Sequence, residues 1–216
     1  MIIKARLLPK PIYIITAKFL NWFLKRRFNK LVIHDIPIYP DCSYLLMCNH
    51  LSFWDGFWAL YLSYNAIHKK QNLNGFNIMI LKKQLQKNHW LRYFGCFSIV
   101  PHSKSSIESL SYAAEILNKP GNVLIMFPQG NLESQYVRHI EVKDGINHIL
   151  TMVKGKCQLI WSSNLIEYFE SLKPSVYFHL LDCGNNNQFD FDELKSKINA
   201  HHQQAIQKQF RFTTEN

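Results

Sequence analysis

The sequence predicts an α/β domain, a largely parallel central sheet flanked by helices, preceded by an N-terminal amphipathic helix at a membrane surface. Three observations point there. Short apolar runs such as 44–48 and 123–127 have the length of strands buried on both faces. Longer segments with helical periodicity stand between them, as expected where crossovers cover a parallel sheet. Turn formers such as Gly95 and Pro120-Gly121 sit at the joins rather than inside the runs.

Taken in order, residues 1–28 form the leading amphipathic segment and 29–216 a single domain. The apolar stretch Ile12 to Leu24 is interrupted by Lys18 and Asn21, too short and too broken for a span, which needs about 20 apolar residues. Lys18 also breaks the core that a signal peptide requires, and no Ala-x-Ala site follows. Phe19, Trp22 and Phe23 beside Lys25, Arg26 and Arg27 suit a helix lying in a membrane interface. The alternative is an ordinary helix packed on the domain.

Next, 31–34 reads as a strand, 37–41 as a turn, 44–48 as a strand, 53–65 as a helix and 66–75 as a polar loop. A strand over 76–80 leads to a helix over 82–94 that Gly95 ends, then to a strand over 97–100. Ser105-x-x-Glu108 has the form of a capping box opening a helix to Leu117. A strand over 123–127, a helix over 145–153, strands over 158–161 and 176–181 and a helix over 190–209 complete the chain.

The balance of 25 basic against 15 acidic residues, +10, calls for an anionic partner: nucleic acid, an anionic bilayer or an acidic carrier protein. The aromatic residues, 14% of the chain, fall in apolar core-like runs rather than among basic residues, which argues against nucleic acid. Five cysteines show no paired CxxC spacing, and Cys48, Cys96 and Cys157 lie in or beside apolar runs. That pattern fits buried thiols in a reducing compartment. Histidines and cysteines are not clustered at ligand spacings, so no metal site is expected.

The richest segment is Asn49-His50-Leu51-Ser52-Phe53-Trp54-Asp55, directly after a strand-like run. It would deliver an imidazole to a strand-helix turn with a carboxylate one helical turn on, so that His50 takes a proton from a hydroxyl while Asp55 fixes its tautomer. Chance alone should produce roughly 0.3 such His-x4-Asp pairs in this composition. The second pair, His139 and Asp144, lies among charged residues and reads as solvated surface. Ser52-x-x-Asp55 also resembles a capping box, so a structural role for the aspartate stands beside the catalytic one. A hydrolase would need a serine elbow of the Gly-x-Ser-x-Gly type, and the sequence has none.

The His50-x4-Asp55 motif, with Asn49 in front, resembles the first motif of the glycerolipid acyltransferase family that includes the 1-acylglycerol-3-phosphate acyltransferases. Phe94-Gly95-Cys96-Phe97-Ser98-Ile99-Val100-Pro101-His102 resembles the second, and Val123 through Phe127-Pro128-Gln129-Gly130-Asn131 the third. The run 157–161 stands in the place of the fourth, and the resemblance spans about residues 40–165.

The resemblance implies transfer of an acyl chain from acyl-CoA or acyl-carrier protein to a hydroxyl of a lysolipid-type acceptor, with no cofactor. His50 would be the general base, Asp55 its orienting partner, and the acceptor's hydroxyl the nucleophile. Asn49, His102, Lys104, Gln129, Gly130 and Asn131 become the candidate substrate-binding residues, with backbone amides near Gly130 as oxyanion donors. His50, His102 and Gln129 each follow a strand end, where sites of open α/β sheets gather, and are expected to converge. The sequence departs from the family at three places: no arginine follows the second motif, Gln129 replaces a glutamate, and Asn131 replaces a hydroxyl residue. These put a phosphate-bearing acceptor in question and leave, as an alternative, a non-catalytic lipid- or acyl-binding protein on the same scaffold. The implied partners are membrane lipids and the acyl donor, at the cytoplasmic face of a membrane.

Overall fold

The computed structural model describes residues 1–169 and 171–209. Along the chain run α1 (Lys10–Arg27), β1 (Leu31–His34), β2 (Ser43–Cys48), α2 (Asp55–Leu62), β3 (Gly75–Leu81) and α3 (Lys82–Lys87). They are followed by β4 (Cys96–Ile99), α4 (Ser106–Leu117), β5 (Asn122–Met126), α5 (Gly145–Thr151), β6 (Cys157–Glu167), β7 (Ser175–Asn185) and α6 (Phe191–Gln207). The seven strands form one sheet in the order β1-β7-β6-β2-β5-β3-β4. The five from β6 to β4 are mutually parallel, whereas β7 returns antiparallel to β6 and carries β1 beside it.

Strand alternation builds two cores. Tyr44, Leu46 and Cys48 of β2 face one side, with α1 and α2, while Leu45 and Met47 face the other, with α4, α5 and α6. Both faces being covered explains why the central strands read as unbroken apolar runs. All five cysteines are free and buried. Burial raises the Cys48 thiol far above its usual range, which makes it an inert strand residue rather than a nucleophile.

The leading helix packs on the domain through Ala17, Leu20 and Leu24, all buried, and Phe28 meets Trp58 edge to face at 4.8 Å. Its opposite face shows Ile15, Phe19 and Trp22 to solvent. Among the described residues no helix is long and apolar enough to cross a membrane. The chain ahead of α1 lies along the outer strand: Ser98 donates its N–H to Ile3 O at 3.0 Å, and Ile3 N–H reaches Ser98 Oγ at 2.8 Å. That pairing covers an otherwise open sheet edge.

Several elements differ from expectation. The helix foreseen over 82–94 breaks at Asn88 (φ −127°, ψ 66°) into α3 and a 3-10 turn, His89–Phe94. Gly95 closes it at φ +81°, where a Cβ would lie 1.9 Å from Phe76 O, so only glycine fits. The foreseen helix after the first motif starts two residues later, at Asp55, and widens into a π-helix over Ser63–His68, which takes up the start of the foreseen loop. The capping box at Ser105 does not form; its hydroxyl pairs with Ser103 Oγ at 2.8 Å instead. Asp190 does cap α6, accepting the Glu193 N–H at 2.7 Å.

Candidate active site

Strand β2 ends at Cys48, and the turn that follows is held from three sides. Asn49 is buried, and its amide pairs twice with β6, donating to Asn164 O at 3.0 Å and accepting Asn164 N–H at 2.7 Å. The His50 N–H donates to Gln129 Oε1 at 2.8 Å, and His50 O accepts the Glu133 N–H at 2.9 Å. The His50 ring stacks on Phe127 at 4.4 Å with the planes 20° apart. Backbone and ring are therefore both fixed before any substrate arrives.

Asp55 stands at the first position of α2 with its side chain 1% exposed. Its Oδ2 meets His50 Nδ1 at 2.7 Å and accepts the N–H groups of Leu51 at 2.6 Å and Ser52 at 2.8 Å. Ser52 Oγ donates to Oδ1 at 2.9 Å. The two readings of this aspartate thus coexist: it reaches back to the amides at the helix start and also holds the imidazole. With Oδ2 accepting Nδ1–H, the other ring nitrogen, Nε2, carries the basic lone pair. Among the described residues no protein group bonds Nε2, and the His50 side chain is 25% exposed. That is the disposition of a general base open to a substrate hydroxyl.

The remaining candidates divide. Gln129 is 1% exposed, its oxygen held by His50 N–H and its Nε2 donated to the Glu133 carboxylate, so it braces the His50 turn from within the fold. Asn49 is likewise committed to β6. Gly130, at φ +72°, gives its N–H to Phe127 O at 3.1 Å, which removes it as an oxyanion donor. Asn131 is exposed beside it. His102 (φ +56°) and Lys104 are exposed in the turn after β4. That strand lies three places from β2 in the sheet, roughly 14 Å away at the usual spacing. His50 and Gln129 converge, whereas His102 stays at the far side of the same sheet end.

Four neighbours of the dyad or of Gly130 were not among the candidate site residues: Phe127, Ser52, Glu133 and Lys143. Phe127 and Ser52 lie inside the quoted motifs and were legible there as neighbours of the dyad. Glu133 carried one signal, a carboxylate four residues after the glutamine that replaces a glutamate. Lys143 carried none: it sits in a charged loop, yet its Nζ would come within 2.9 Å of a Cβ placed on Gly130. His139 is exposed, and Asp144 pairs with His148 at 2.9 Å instead. Among the described residues no cluster of three or more potential metal ligands occurs.

A buried carboxylate on Nδ1 and an imidazole Nε2 without a protein partner among the described residues give His50 the geometry that proton abstraction from a hydroxyl requires. A family model described as Acyltransferase matches residues 30–160, more than half the chain, and the chain belongs to that family. It is 27% identical over 159 residues to the 1-acyl-sn-glycerol-3-phosphate acyltransferase of Streptococcus pneumoniae, covering 72% of this chain and 53% of that protein. The chain thus spans about half the length of that relative. The crystal structure of the 1-acyl-sn-glycerophosphate acyltransferase PlsC from Thermotoga maritima shares the fold, with a TM-score of 0.60 at 18% identity over 91% of this chain and 79% of that one.

Proposed function

We propose that the chain is a peripheral membrane O-acyltransferase that moves a fatty acyl group from acyl-CoA or acyl-carrier protein to a hydroxyl of a lysophospholipid-type acceptor. The observation that carries this reading is the 2.7 Å contact between His50 Nδ1 and Asp55 Oδ2, with Nε2 left open. Nε2 takes the proton of the acceptor hydroxyl as its oxygen attacks the thioester carbonyl. Asp55 stabilises the imidazolium, and the proton then leaves with the departing thiolate as the ester is released. Lys143, His102 and Lys104 lie at the sheet end that bears the dyad and supply the positive charge for an anionic headgroup. Membrane association is assigned to the outer face of α1, where exposed Ile15, Phe19 and Trp22 stand beside Lys25, Arg26 and Arg27.

The test is direct. Purified protein mixed with acyl-CoA or acyl-carrier protein and 1-acylglycerol-3-phosphate should form the diacyl product, and His50→Ala should form it at least about 10²-fold more slowly. A fully active His50→Ala enzyme removes the dyad mechanism. Bound lipid without turnover in the unmodified protein, across a panel of lysolipids, points instead to a ligand-binding role.

A further inference from the structure

The connection between β6 and β7 stands outside the chemistry described above. Strand β6 pairs with β2 as far as Ser162 opposite Cys48, then continues to Glu167 paired with β7 on one edge, while its other edge is met by the side chains of Asn49 at Asn164 and Gln135 at Ile166. Those five extra residues carry the hairpin roughly 16 Å beyond the end of β2, at the sheet end that bears His50. Leu172 is 100% exposed there and Tyr168 60%. A single exposed apolar residue needs no explanation, but this pair is not isolated.

The hairpin is tied to the end of α1. Lys173 Nζ donates to Arg26 O at 3.0 Å, and the Asn29 N–H donates to Pro174 O at 2.9 Å. The neighbouring aromatic residues of α1, Trp22 and Phe23, are exposed, and each carries an arginine over its ring: Arg26 at 4.6 Å and Arg27 at 5.3 Å. Aromatic rings under guanidinium groups place apolar area and positive charge at one level, the arrangement that a headgroup boundary favours. Lys25, Arg26, Arg27 and Lys173 give this end of the molecule a local excess of positive charge, which an anionic leaflet attracts.

We propose that Tyr168 and Leu172 on the β6–β7 hairpin form a second contact with an anionic bilayer, continuous with the C-terminal end of α1, so that the dyad opens toward the lipid surface. The inference rests on the interfacial reading of α1 and adds an element far from it in sequence. Two contacts flanking the site, rather than one helix, would fix the angle at which the domain meets the membrane. An acceptor lipid could then reach His50 without leaving the interface entirely.

The experiment compares pelleting of the full chain with vesicles of phosphatidylglycerol and phosphatidylcholine. Y168D/L172D should lower vesicle partitioning by about tenfold, from the lost burial of two apolar side chains. K119Q/K154Q changes the charge equally at exposed lysines on the opposite end of the sheet and should leave partitioning near that of the unmodified protein. Circular dichroism confirms that both variants fold. The proposal is overturned if the unmodified protein does not bind, if Y168D/L172D binds as well as it does, or if K119Q/K154Q loses as much. The readout is binding, so an inactive protein that shows the expected loss would sink the acyl-transfer reading and leave this one standing.

Discussion

Gln129 Oε1 accepts the backbone N–H of His50 at 2.8 Å, which couples the turn after β5 to the turn that carries the imidazole. The same amide donates through Nε2 to Glu133, whose own N–H returns to His50 O. Three residues thus close a ring around the main chain of the imidazole. In a low-dielectric setting such a ring is stabilising only while each donor faces an acceptor.

This ring makes a charge-swap prediction. Gln129→Glu sets two carboxylates against each other at a buried position and should lower stability by about 1–3 kcal/mol, with a matching fall in turnover. Gln129→Glu combined with Glu133→Gln restores one donor and one carboxylate and should recover most of both. Urea denaturation and acyl transfer, measured on the two singles and the double, check it; equal losses in Gln129→Glu and the double variant would refute the coupling.

His50→Ala should reduce transfer by about 10²- to 10⁴-fold, the usual worth of a positioned base. Its melting temperature should barely change, because Asp55 keeps its contacts with Leu51 N–H, Ser52 N–H and Ser52 Oγ. Asp55→Ala should lose activity and also about 1–3 kcal/mol, since it removes the acceptor of the Leu51 N–H, the Ser52 N–H and Ser52 Oγ. The contrast between the two variants in thermal melts, at similar loss of rate, separates the base from the residue that aims it.

Asn49→Ala should cost about 2–4 kcal/mol, because Asn164 N–H and C=O are both left unpaired in the core. A destabilisation of only a few tenths, read from chemical denaturation, would show that water replaces the amide.

Acid sensitivity should come from the other side of the sheet. His179 stacks on His34 at 4.3 Å, His201 Nε2 bonds His179 O at 3.0 Å, and His202 lies between Ser163 Oγ and Val137 O. Burial pushes His179 down to about 3, with the nearby His34, Lys208, His201 and His202 adding to it, and burial also lowers His201 and His202. The fold therefore holds these rings neutral, whereas the unfolded chain protonates them near the ordinary value of about 6.5. Below that pH the unfolded state binds more protons and stability falls, down to about pH 3 for His179, with a limiting slope of about 1.4 kcal/mol per pH unit for each ring. His179→Phe should flatten this acid limb in urea titrations at pH 7.5 and 5; an unchanged slope would exclude His179 as its source.

The dyad and the alternation of strands and helices were legible because local chemistry determined them: an apolar run, then a polar turn, then a carboxylate at the helix start. The full length of β6 was not. Its second half begins Ser162-Ser163-Asn164, which reads as a strand ending in polar residues. The polar atoms are buried but satisfied by partners distant in sequence or folded back on the strand: Asn49, His202 and Trp161. Nothing local reveals that pairing. Lys143 was hidden for a similar reason, since only the folded loop lays its side chain across Gly130. The inner face of α1 escaped because aromatic residues and leucines alternate around the whole helix, so the pattern does not say which side the domain takes.

The five buried thiols have a practical outcome. A maleimide added to the folded protein meets no accessible native sulfhydryl, so a cysteine introduced at position 172 would be a selective attachment point. A fluorophore or spin label placed there would report the depth and tilt of the domain directly, with every native cysteine left in place.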